Sequence, residues 1–251
     1  MKAELKAYLK DLRLPSIRDK FERVSERATR ENYTYEQYLF ELVEQEQVER
    51  LQNRIQRLRR SSGLPTGKTL ETFNRDRLPG KVNMQLNVLL DGTFTDKAEN
   101  LLFFGNTGSG KTHLISAIGH ELVSQGKRVI FKKCSFLVQE LLQAKEDLRL
   151  PQLLKSLSRN SAIIIDDIGY VQRSRAEMEV LFTLIADCYE STSIMLTSNF
   201  VFSEWERIFK DPVTTSAVID RLIHHSVILE LDIDSYRLEE ARQNKERSYE
   251  K

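Results

Sequence analysis

The stretch that decides the fold is Leu101-Leu102-Phe103-Phe104-Gly105-Asn106-Thr107-Gly108-Ser109-Gly110-Lys111-Thr112-His113-Leu114. From Gly105 to Thr112 it fits the pattern G-x-x-x-x-G-K-[ST] of phosphate-binding loops. Four apolar residues precede the pattern, and an amphipathic run follows it. This context predicts a buried strand, a loop and a helix that together bind a nucleotide.

The spacing of the loop suits anion capture. Glycines at three positions allow successive backbone N–H groups to converge on a phosphate, and the following helix adds the positive end of its dipole. Lys111 is expected to reach the β- and γ-phosphates of ATP, and the Thr112 hydroxyl to bind Mg²⁺. The predicted nucleotide-binding residues of the loop are Gly105, Asn106, Thr107, Gly108, Ser109, Gly110, Lys111 and Thr112.

A similar stretch from Gly63 to Thr69 lies upstream. It has three residues between its glycines where the pattern needs four, and a polar, arginine-rich segment precedes it. We therefore reject it as a second phosphate loop. Phe73, which follows, is either a core aromatic or a side chain that stacks on adenine.

Size and composition describe an ordinary globular protein. The 251 residues suffice for one α/β domain and a smaller one, and 40% of them are hydrophobic and 30% charged. The net charge of +1 means that any basic surface is local. No signal peptide and no membrane-length apolar run is present in the sequence, so we expect a cytoplasmic protein that does not enter a membrane. Cys134 and Cys188 are expected to be buried free thiols.

The first 60 residues or so have the apolar spacing of helices. Ser16 and Asp19 are predicted to form the capping box of a second helix, and Thr34 and Gln37 that of a third. From Arg50 to Lys68 every charged residue is basic, which indicates either a solvated helix face and linker or a surface that contacts phosphates; Arg50, Arg54 and Arg57 are the DNA-binding candidates. We predict a helical domain with a basic linker over residues 1–67 and an ATPase domain over residues 68–251.

Apolar runs alternate with helical segments through the second domain. The strands predicted from these runs cover residues 101–104, 128–131, 162–165, 193–199 with a polar tip, and 227–231. Uniformly apolar strands that alternate with helices predict an α/β fold in which helices cover both faces of a parallel sheet. We expect an extra strand between the phosphate loop and the strand that ends in Asn199, since that arrangement separates hydrolytic motor ATPases from small-metabolite kinases.

Polar residues at strand ends supply the predicted chemistry. Asp166 is expected to help hold Mg²⁺, the adjacent Asp167 to orient or deprotonate the attacking water, and Asn199 to position that water. Arg221 is either an arginine finger for a neighbouring subunit's nucleotide or half of an ion pair with Asp220 or Asp211 within its own helix.

These motifs together resemble the IstB family. The resemblance rests on the phosphate loop and on five further segments, and it extends to the N-terminal run from Tyr8 to Pro15. The segments are Asp166-Asp167-Ile168-Gly169-Tyr170, Thr197-Ser198-Asn199, Phe202-Ser203-Glu204-Trp205, Asp220-Arg221-Leu222 and Asp234-Ser235-Tyr236-Arg237-Leu238. Members of the family are AAA+ ATPases that assist the transposase of certain bacterial insertion sequences, and they are similar to the DnaC helicase loaders.

The resemblance implies an ATP-dependent homo-oligomer on duplex DNA that assists a transposase, with no separate C-terminal lid domain. By analogy Asp166 is the Walker B metal residue, Asn199 the sensor, Arg221 the finger in trans and Arg237 a candidate sensor of the γ-phosphate. Asp167 stands where most AAA+ members have Glu, so slow turnover that depends on DNA and oligomerisation is expected. Further DNA contacts implied by analogy, or else merely solvated basic residues, are Lys132, Lys133, Arg173 and Arg175.

Three other functions remain open from the sequence. A helicase loader would use the same ATPase but act on a hexameric helicase. A nucleotide-gated switch would change shape without turnover, and a small-molecule kinase would transfer phosphate to an acceptor other than water.

Overall fold

The computed structural model describes residues 1–169, 174–209, 211–233 and 235–236. The chain forms two compact units, Met1–Arg57 and Leu58–Lys251. Leu58 and Leu64 pack with the core of the second unit. The assignment of residues 1–67 to one domain and 68–251 to another stays a prediction.

The first unit is helical, as predicted. Its helices are α1 (Lys2–Asp11), α2 (Pro15–Glu31) and α3 (Tyr35–Ser61), of which α3 continues past Arg57. The predicted Thr34–Gln37 capping box is present, with N–H to side-chain distances of 2.8 and 3.2 Å. The buried core of this unit consists of Leu9, Phe21, Val24 and Leu42.

The predicted capping box at the start of α2 is wrong. The helix begins at Pro15, so Ser16 lies inside the first turn, where its side chain is buried. The first turn is capped instead by Glu46 of α3, whose Oε2 accepts the Ile17 N–H at 3.1 Å. Its carboxylate also faces the positive end of the α2 dipole, which is favourable for a negative charge. A long-range contact has thus replaced the local cap.

The second unit alternates helices and strands. Short 3₁₀ turns occur at Arg75–Arg77, Thr93–Lys97 and Phe202–Glu204. The helices and strands in chain order are α4 (Gly80–Leu89), β1 (Asn100–Gly105), α5 (Lys111–Ser124), β2 (Val129–Lys133), α6 (Cys134–Glu146), α7 (Leu150–Leu157), β3 (Ala162–Asp166), α8 (Arg175–Cys188), β4 (Ser193–Ser198), α9 (Glu206–Phe209), α10 (Pro212–Ile223) and β5 (Ser226–Leu231).

The five strands form one parallel sheet in the order β2-β3-β4-β1-β5. This confirms the predicted α/β fold with a parallel sheet. The expected extra strand between the phosphate loop and the Asn-bearing strand is wrong, because β4 pairs directly with β1, Phe104 opposite Ser198. The strand that precedes Asn199, β4, is itself inserted between β1 and β3. Apolar runs identify strands, but they carry no information on the order of strands in the sheet.

The sheet has a hydrophobic core on each face. Side chains of β1 alternate between them: Leu101 and Phe103 pack in the core that includes α4 and α5, and Leu102 and Phe104 in the core that includes α6, α8 and α10. Both cysteines are buried, as predicted, and neither forms a disulfide within the described residues; burial raises the pKa of Cys188 to about 12. Among the helices in the described ranges, none is long and apolar enough to cross a membrane.

Candidate functional site

A cavity of about 410 Å³ lies at the carboxyl edge of the sheet, a size typical of small-molecule sites. It is formed where the segments after β1, β3 and β4 meet. The predicted site residues that line it are Thr107, Gly108, Ser109, Gly110, Lys111, Thr112, Asp167 and Asn199. Residues far apart in the sequence are therefore brought together as the motifs predict.

The loop after β1 has a backbone that requires glycine. Gly105 has φ 147°, and a Cβ there would lie 2.3 Å from the Leu231 carbonyl oxygen. Gly108 has φ 87°, and a Cβ would lie 2.1 Å from the Ser235 hydroxyl. Lys111, only 6% exposed, donates from Nζ to the carbonyl oxygens of Gly105 at 2.7 Å and Asn106 at 2.8 Å. The loop thus wraps around the ammonium group that the motif supplies.

Asp166 is the centre of a buried hydrogen-bond network. Its Oδ1 accepts from the Thr112 hydroxyl at 2.8 Å and from the Thr197 hydroxyl at 2.7 Å. Thr197 in turn accepts the Asp167 N–H at 2.8 Å. Asp166 and Thr112 present oxygen atoms side by side, and oxygen is the ligand that Mg²⁺ prefers.

The backbone of Asp167 has a left-handed conformation, with φ 66°. This region is unfavourable for most residues, but Asp and Asn occupy it more readily than others because their short polar side chains can bond locally. Aspartate is therefore a side chain that the backbone at position 167 accommodates. Its side chain lines the cavity.

The loop that carries Asn199 is fixed on both sides. The Ser198 hydroxyl donates to the Phe200 carbonyl at 2.8 Å and accepts the Phe200 N–H at 3.0 Å. The same carbonyl accepts from Nε1 of the fully buried Trp205 at 3.1 Å. These bonds hold Asn199 at the end of β4, where it lines the cavity.

Sequence reasoning missed one buried side chain and most of one wall of the cavity. Thr197 joins Asp166 to the backbone of Asp167, and its only sequence signal is its position just before Ser198-Asn199. This wall of the cavity includes Gly67 and Lys68, from the stretch Gly63–Thr69 that we reject as a second phosphate loop. The additional lining residues are Gly67, Lys68, Thr72, Phe73, Asn74, Arg77, His113, Ile233 and Tyr236. Among them, Phe73 is the one that the sequence already offers as a side chain that stacks on adenine, with a core aromatic as the alternative.

Aromatic groups in this wall could contact a flat base. The Phe73 ring packs edge-on against His113 with centroids 5.1 Å apart, and the Arg77 guanidinium lies 5.3 Å from the centre of the Tyr236 ring. Burial lowers the pKa of His113, and Lys68 adds to this, although a hydrogen bond to the Thr69 carbonyl opposes it. The net lowering of the pKa favours the neutral imidazole.

Arg221 lies outside the cavity lining, on α10. Its guanidinium lies 5.2 Å from the centre of the Phe182 ring and donates to the Ala217 carbonyl at 2.9 Å. No ion pair with Asp220 or Asp211 forms within the described residues, and Asp211 instead caps α10 by accepting the Thr214 N–H at 2.8 Å. The Arg221 guanidinium therefore forms no ion pair with either of these two carboxylates.

The basic residues proposed from sequence for the second unit differ in their surroundings. Lys132 is half-buried and pairs with Glu140 at 2.7 Å, whereas Lys133 and Arg175 are exposed. Arg173 and Arg237 lie outside the described residues. Lys132 is thus already neutralised by a neighbour, which weakens its case as a DNA contact.

The first unit carries a concave basic surface. Arg50, Arg54 and Arg57 share it with three cations from α1, α2 and the turn between them: Lys10, Arg13 and Arg18. Arg50 pairs with Glu46 and Arg18 with Asp19. The remaining four have no carboxylate partner in the part of the chain that the structure describes. We call these six residues the basic concavity.

Comparison with known proteins gives a consistent result. A family model described as IstB-like ATP binding protein matches residues 7–244. An insertion-sequence ATP-binding protein of Sinorhizobium fredii is 41% identical over 97% of this chain and 82% of its own length. Another from Geobacillus stearothermophilus is 37% identical over 98% of both chains, and one of insertion sequence IS21 from Pseudomonas aeruginosa is 36% identical over 95% of this chain and 90% of its own.

Solved structures share the fold. The DnaC helicase loader has a TM-score of 0.56 and 17% identity, over 66% of this chain and 97% of its own. DnaA from Aquifex aeolicus, with bound AMPPCP, has a TM-score of 0.55 and 18% identity, over 74% of this chain and 57% of its own. At these identities the likeness concerns the fold alone.

Proposed function

Because this chain belongs to the IstB-like ATP-binding protein family, we propose that it is a Mg²⁺-dependent ATPase that oligomerises on duplex DNA and assists the transposase of an insertion sequence. The sequence-based resemblance to this family is confirmed. The observation that carries the catalytic part of the proposal is the hydrogen-bonded group of Thr112, Asp166 and Thr197 beside the Lys111 loop. The names of the relatives motivate the transposition part.

The cavity fits a magnesium nucleotide. The loop amides and Lys111 would hold the phosphates, and the Ser109 hydroxyl, buried and without a hydrogen-bond partner among the described residues, lines the same cavity. Thr112 and Asp166 would hold Mg²⁺, which would neutralise charge that develops on the phosphate oxygens. Phe73 and Tyr236 would contact the base.

Hydrolysis needs a positioned water. Asp167 and Asn199 line the cavity from neighbouring strand ends, so both would contact a water that attacks the γ-phosphate. The aspartate is one methylene shorter than glutamate and is held in a left-handed backbone conformation, so its reach is limited. We therefore propose that turnover by the isolated protein is slow.

We expect Thr197→Val to lower kcat by roughly tenfold to a hundredfold with little change in ATP affinity. Valine has the shape of threonine but cannot donate to Asp166 or accept from Asp167, so two bonds worth about 1–1.5 kcal/mol each are lost at the acid pair. Steady-state phosphate release and nucleotide titration separate kcat from binding.

The matched control is Thr192→Val at the other end of β4. Thr192 is also buried and donates to a backbone carbonyl, that of Ser158 at 3.1 Å, but it comes directly before the first residue of β4, at the opposite end of the strand from Thr197 and the acid pair. Equal loss of kcat in both variants would mean that Thr197 acts only through stability and not by positioning Asp166 and Asp167.

We propose that Arg221 acts as an arginine finger on the nucleotide of a neighbouring copy of the chain. Arg221 is outside the lining of its own cavity, and its guanidinium has no carboxylate partner among the described residues. A second copy that presents Arg221 to the nucleotide would stabilise charge in the transition state. Such a head-to-tail contact builds rings or helical assemblies, which suits a protein that assembles along DNA.

The basic concavity is the proposed DNA-backbone contact of the first unit. We expect Arg54→Gln with Arg57→Gln to weaken duplex binding for every sequence alike and to reduce the salt slope of log K against log[salt] by about 2, or about 1 for each contact. Fluorescence anisotropy with a labelled duplex over a salt series measures this slope.

A matched double variant is Arg23→Gln with Arg30→Gln. Both arginines are exposed in α2 of the same unit and lie outside the concavity, so the net charge changes equally. An identical loss in both double variants would indicate a general charge effect, and the concavity would not be a DNA site.

The partner is tested by pull-down with purified transposase and, separately, with a replicative helicase. Retention of transposase on DNA in the presence of ATP supports the proposal, whereas binding to the helicase alone would favour a loader. Phosphate release with and without duplex distinguishes an ATPase from a switch, since a switch releases none. Phosphoryl transfer to an acceptor other than water would indicate a kinase.

A further inference from the structure

A second cluster of metal-binding side chains lies at the opposite edge of the sheet from the phosphate loop. Tyr189 and Glu190 follow the end of α8, and His224 and His225 follow the end of α10. Both pairs come shortly before strands, β4 and β5, begin. The phosphate loop follows the carboxyl end of β1, so about 20 Å of strand separates the two sites.

Three ligand atoms converge in this cluster. One from each of Glu190, His224 and His225 lies within 4.8 Å of the others, and His225 Nε2 is 4.0 Å from Glu190 Oε1. A cation at the centre of such a triangle would be at most roughly 2.8 Å from each donor, compared with 2.0–2.2 Å for zinc ligands. The three side chains are exposed, so small rotations would close the remaining gap.

The histidines are held in place by the surrounding structure. The Tyr189 hydroxyl hydrogen-bonds Nδ1 of His224 at 2.9 Å, and Nε2 is the ring nitrogen outside this bond. A hydrogen bond to the second ring nitrogen is the usual support of a metal-bound histidine. The Asn100 N–H donates to the His225 carbonyl at 2.6 Å, which fixes the backbone of the pair to the start of β1.

The cluster is poorly explained as an ion pair. His225 and Glu190 are 51% and 59% exposed, and an exposed pair at 4.0 Å stabilises a fold by little. Two neighbouring imidazoles, with ring centroids 4.1 Å apart, would also repel each other if both were protonated. A divalent cation would satisfy both imidazoles and the carboxylate together.

We propose that Glu190, His224 and His225 form a binding site for a divalent transition metal of the zinc class. Imidazole nitrogen together with carboxylate oxygen is a donor set that suits Zn²⁺, Ni²⁺ and Cu²⁺ better than Mg²⁺. Water would complete the coordination, because three ligands from the chain leave at least one position open. The site uses none of the residues of the nucleotide cavity. The proposal of a metal site is therefore independent of the proposed ATPase activity, and each can be tested without the other.

The test is isothermal titration of the full-length, nucleotide-free protein with zinc chloride. We expect one equivalent to bind, and we expect His224→Ala with His225→Ala to remove it. Glu190→Gln and Tyr189→Phe should each weaken binding by about tenfold or more, Tyr189→Phe because it acts only through the orientation of His224.

His120→Asn is the control. His120 hydrogen-bonds the Pro65 carbonyl and is not one of the three clustered ligands, so this variant should bind zinc as the unmodified chain does. Thermal unfolding without metal verifies that each variant is folded. Zinc binding that is equal in the unmodified protein and in the His224→Ala, His225→Ala variant would overturn the proposal, as would equal loss in His120→Asn. If Tyr189→Phe bound zinc with unchanged affinity, Tyr189 would not be needed to orient His224.

Discussion

Lys111→Ala is expected to lower ATP affinity by roughly 10²–10⁴-fold and to abolish turnover at ordinary ATP concentrations. The ammonium group is enclosed by the loop, and in a nucleotide complex it would bind the β- and γ-phosphates. Two charge-assisted hydrogen bonds worth about 1.5–3 kcal/mol each give this range. Titration with ATP and Mg²⁺ in a calorimeter measures the change directly.

Loss of folding must be separated from loss of binding in this variant, because Lys111 also donates to two loop carbonyls. Thermal unfolding without nucleotide provides the first check. Lys155→Ala, which removes the same charge from an exposed position on α7, provides the second. If Lys111→Ala bound ATP as tightly as Lys155→Ala does, the loop would not be the phosphate site.

The fold was predictable because its signals are local. A glycine pattern between an apolar run and an amphipathic run specifies strand, loop and helix, and continuous apolar runs such as Ile163–Ile165 specify buried strands. Strand order is not local, and neither is the cap that Glu46 supplies to α2 from another helix. Both depend on which elements pack together, which spacing along the chain does not encode.

The same distinction between local and long-range signals applies to the candidate site. Motif residues such as Lys111 and Asp166 have characteristic neighbours in the sequence. Thr197 and Phe73 do not, because their relation to the cavity arises only when β4 lies beside β3 and the segment before α4 packs on the phosphate loop. A threonine or phenylalanine at such a position looks the same in a sequence whether it faces a core or a ligand.

Arg221→Ala is expected to leave ATP affinity within about twofold and to lower the hydrolysis rate of the assembled protein by on the order of 10³–10⁵-fold. The side chain lies outside its own cavity, so its removal changes no contact with the nucleotide that the same chain binds. An arginine supplied to the transition state by a neighbour has an effect of this size. Nucleotide titration and phosphate release on saturating duplex DNA measure the two quantities.

Arg207→Ala is a control of matched chemistry. Arg207 also lies over an aromatic ring, that of Phe200 at 6.0 Å, and it pairs with Glu204 at the surface of α9. Its removal deletes a comparable cation and ring contact without touching α10. A rate loss of similar size in Arg207→Ala would mean that arginine packing in general, and not a finger at position 221, limits hydrolysis.

A mixture of two inactive variants separates action between copies from action within one copy. Arg221→Ala keeps an intact nucleotide site but has no finger, and Asp167→Asn keeps the finger but has no carboxylate to activate water. Asparagine tolerates the left-handed backbone of position 167, so that variant should keep its local structure. In an equal mixture about a quarter of head-to-tail contacts would join an intact site to an intact finger, so activity should recover to about a quarter of the unmodified rate. If Arg221 acted within its own chain, every copy in the mixture would remain defective and no recovery would occur at any ratio.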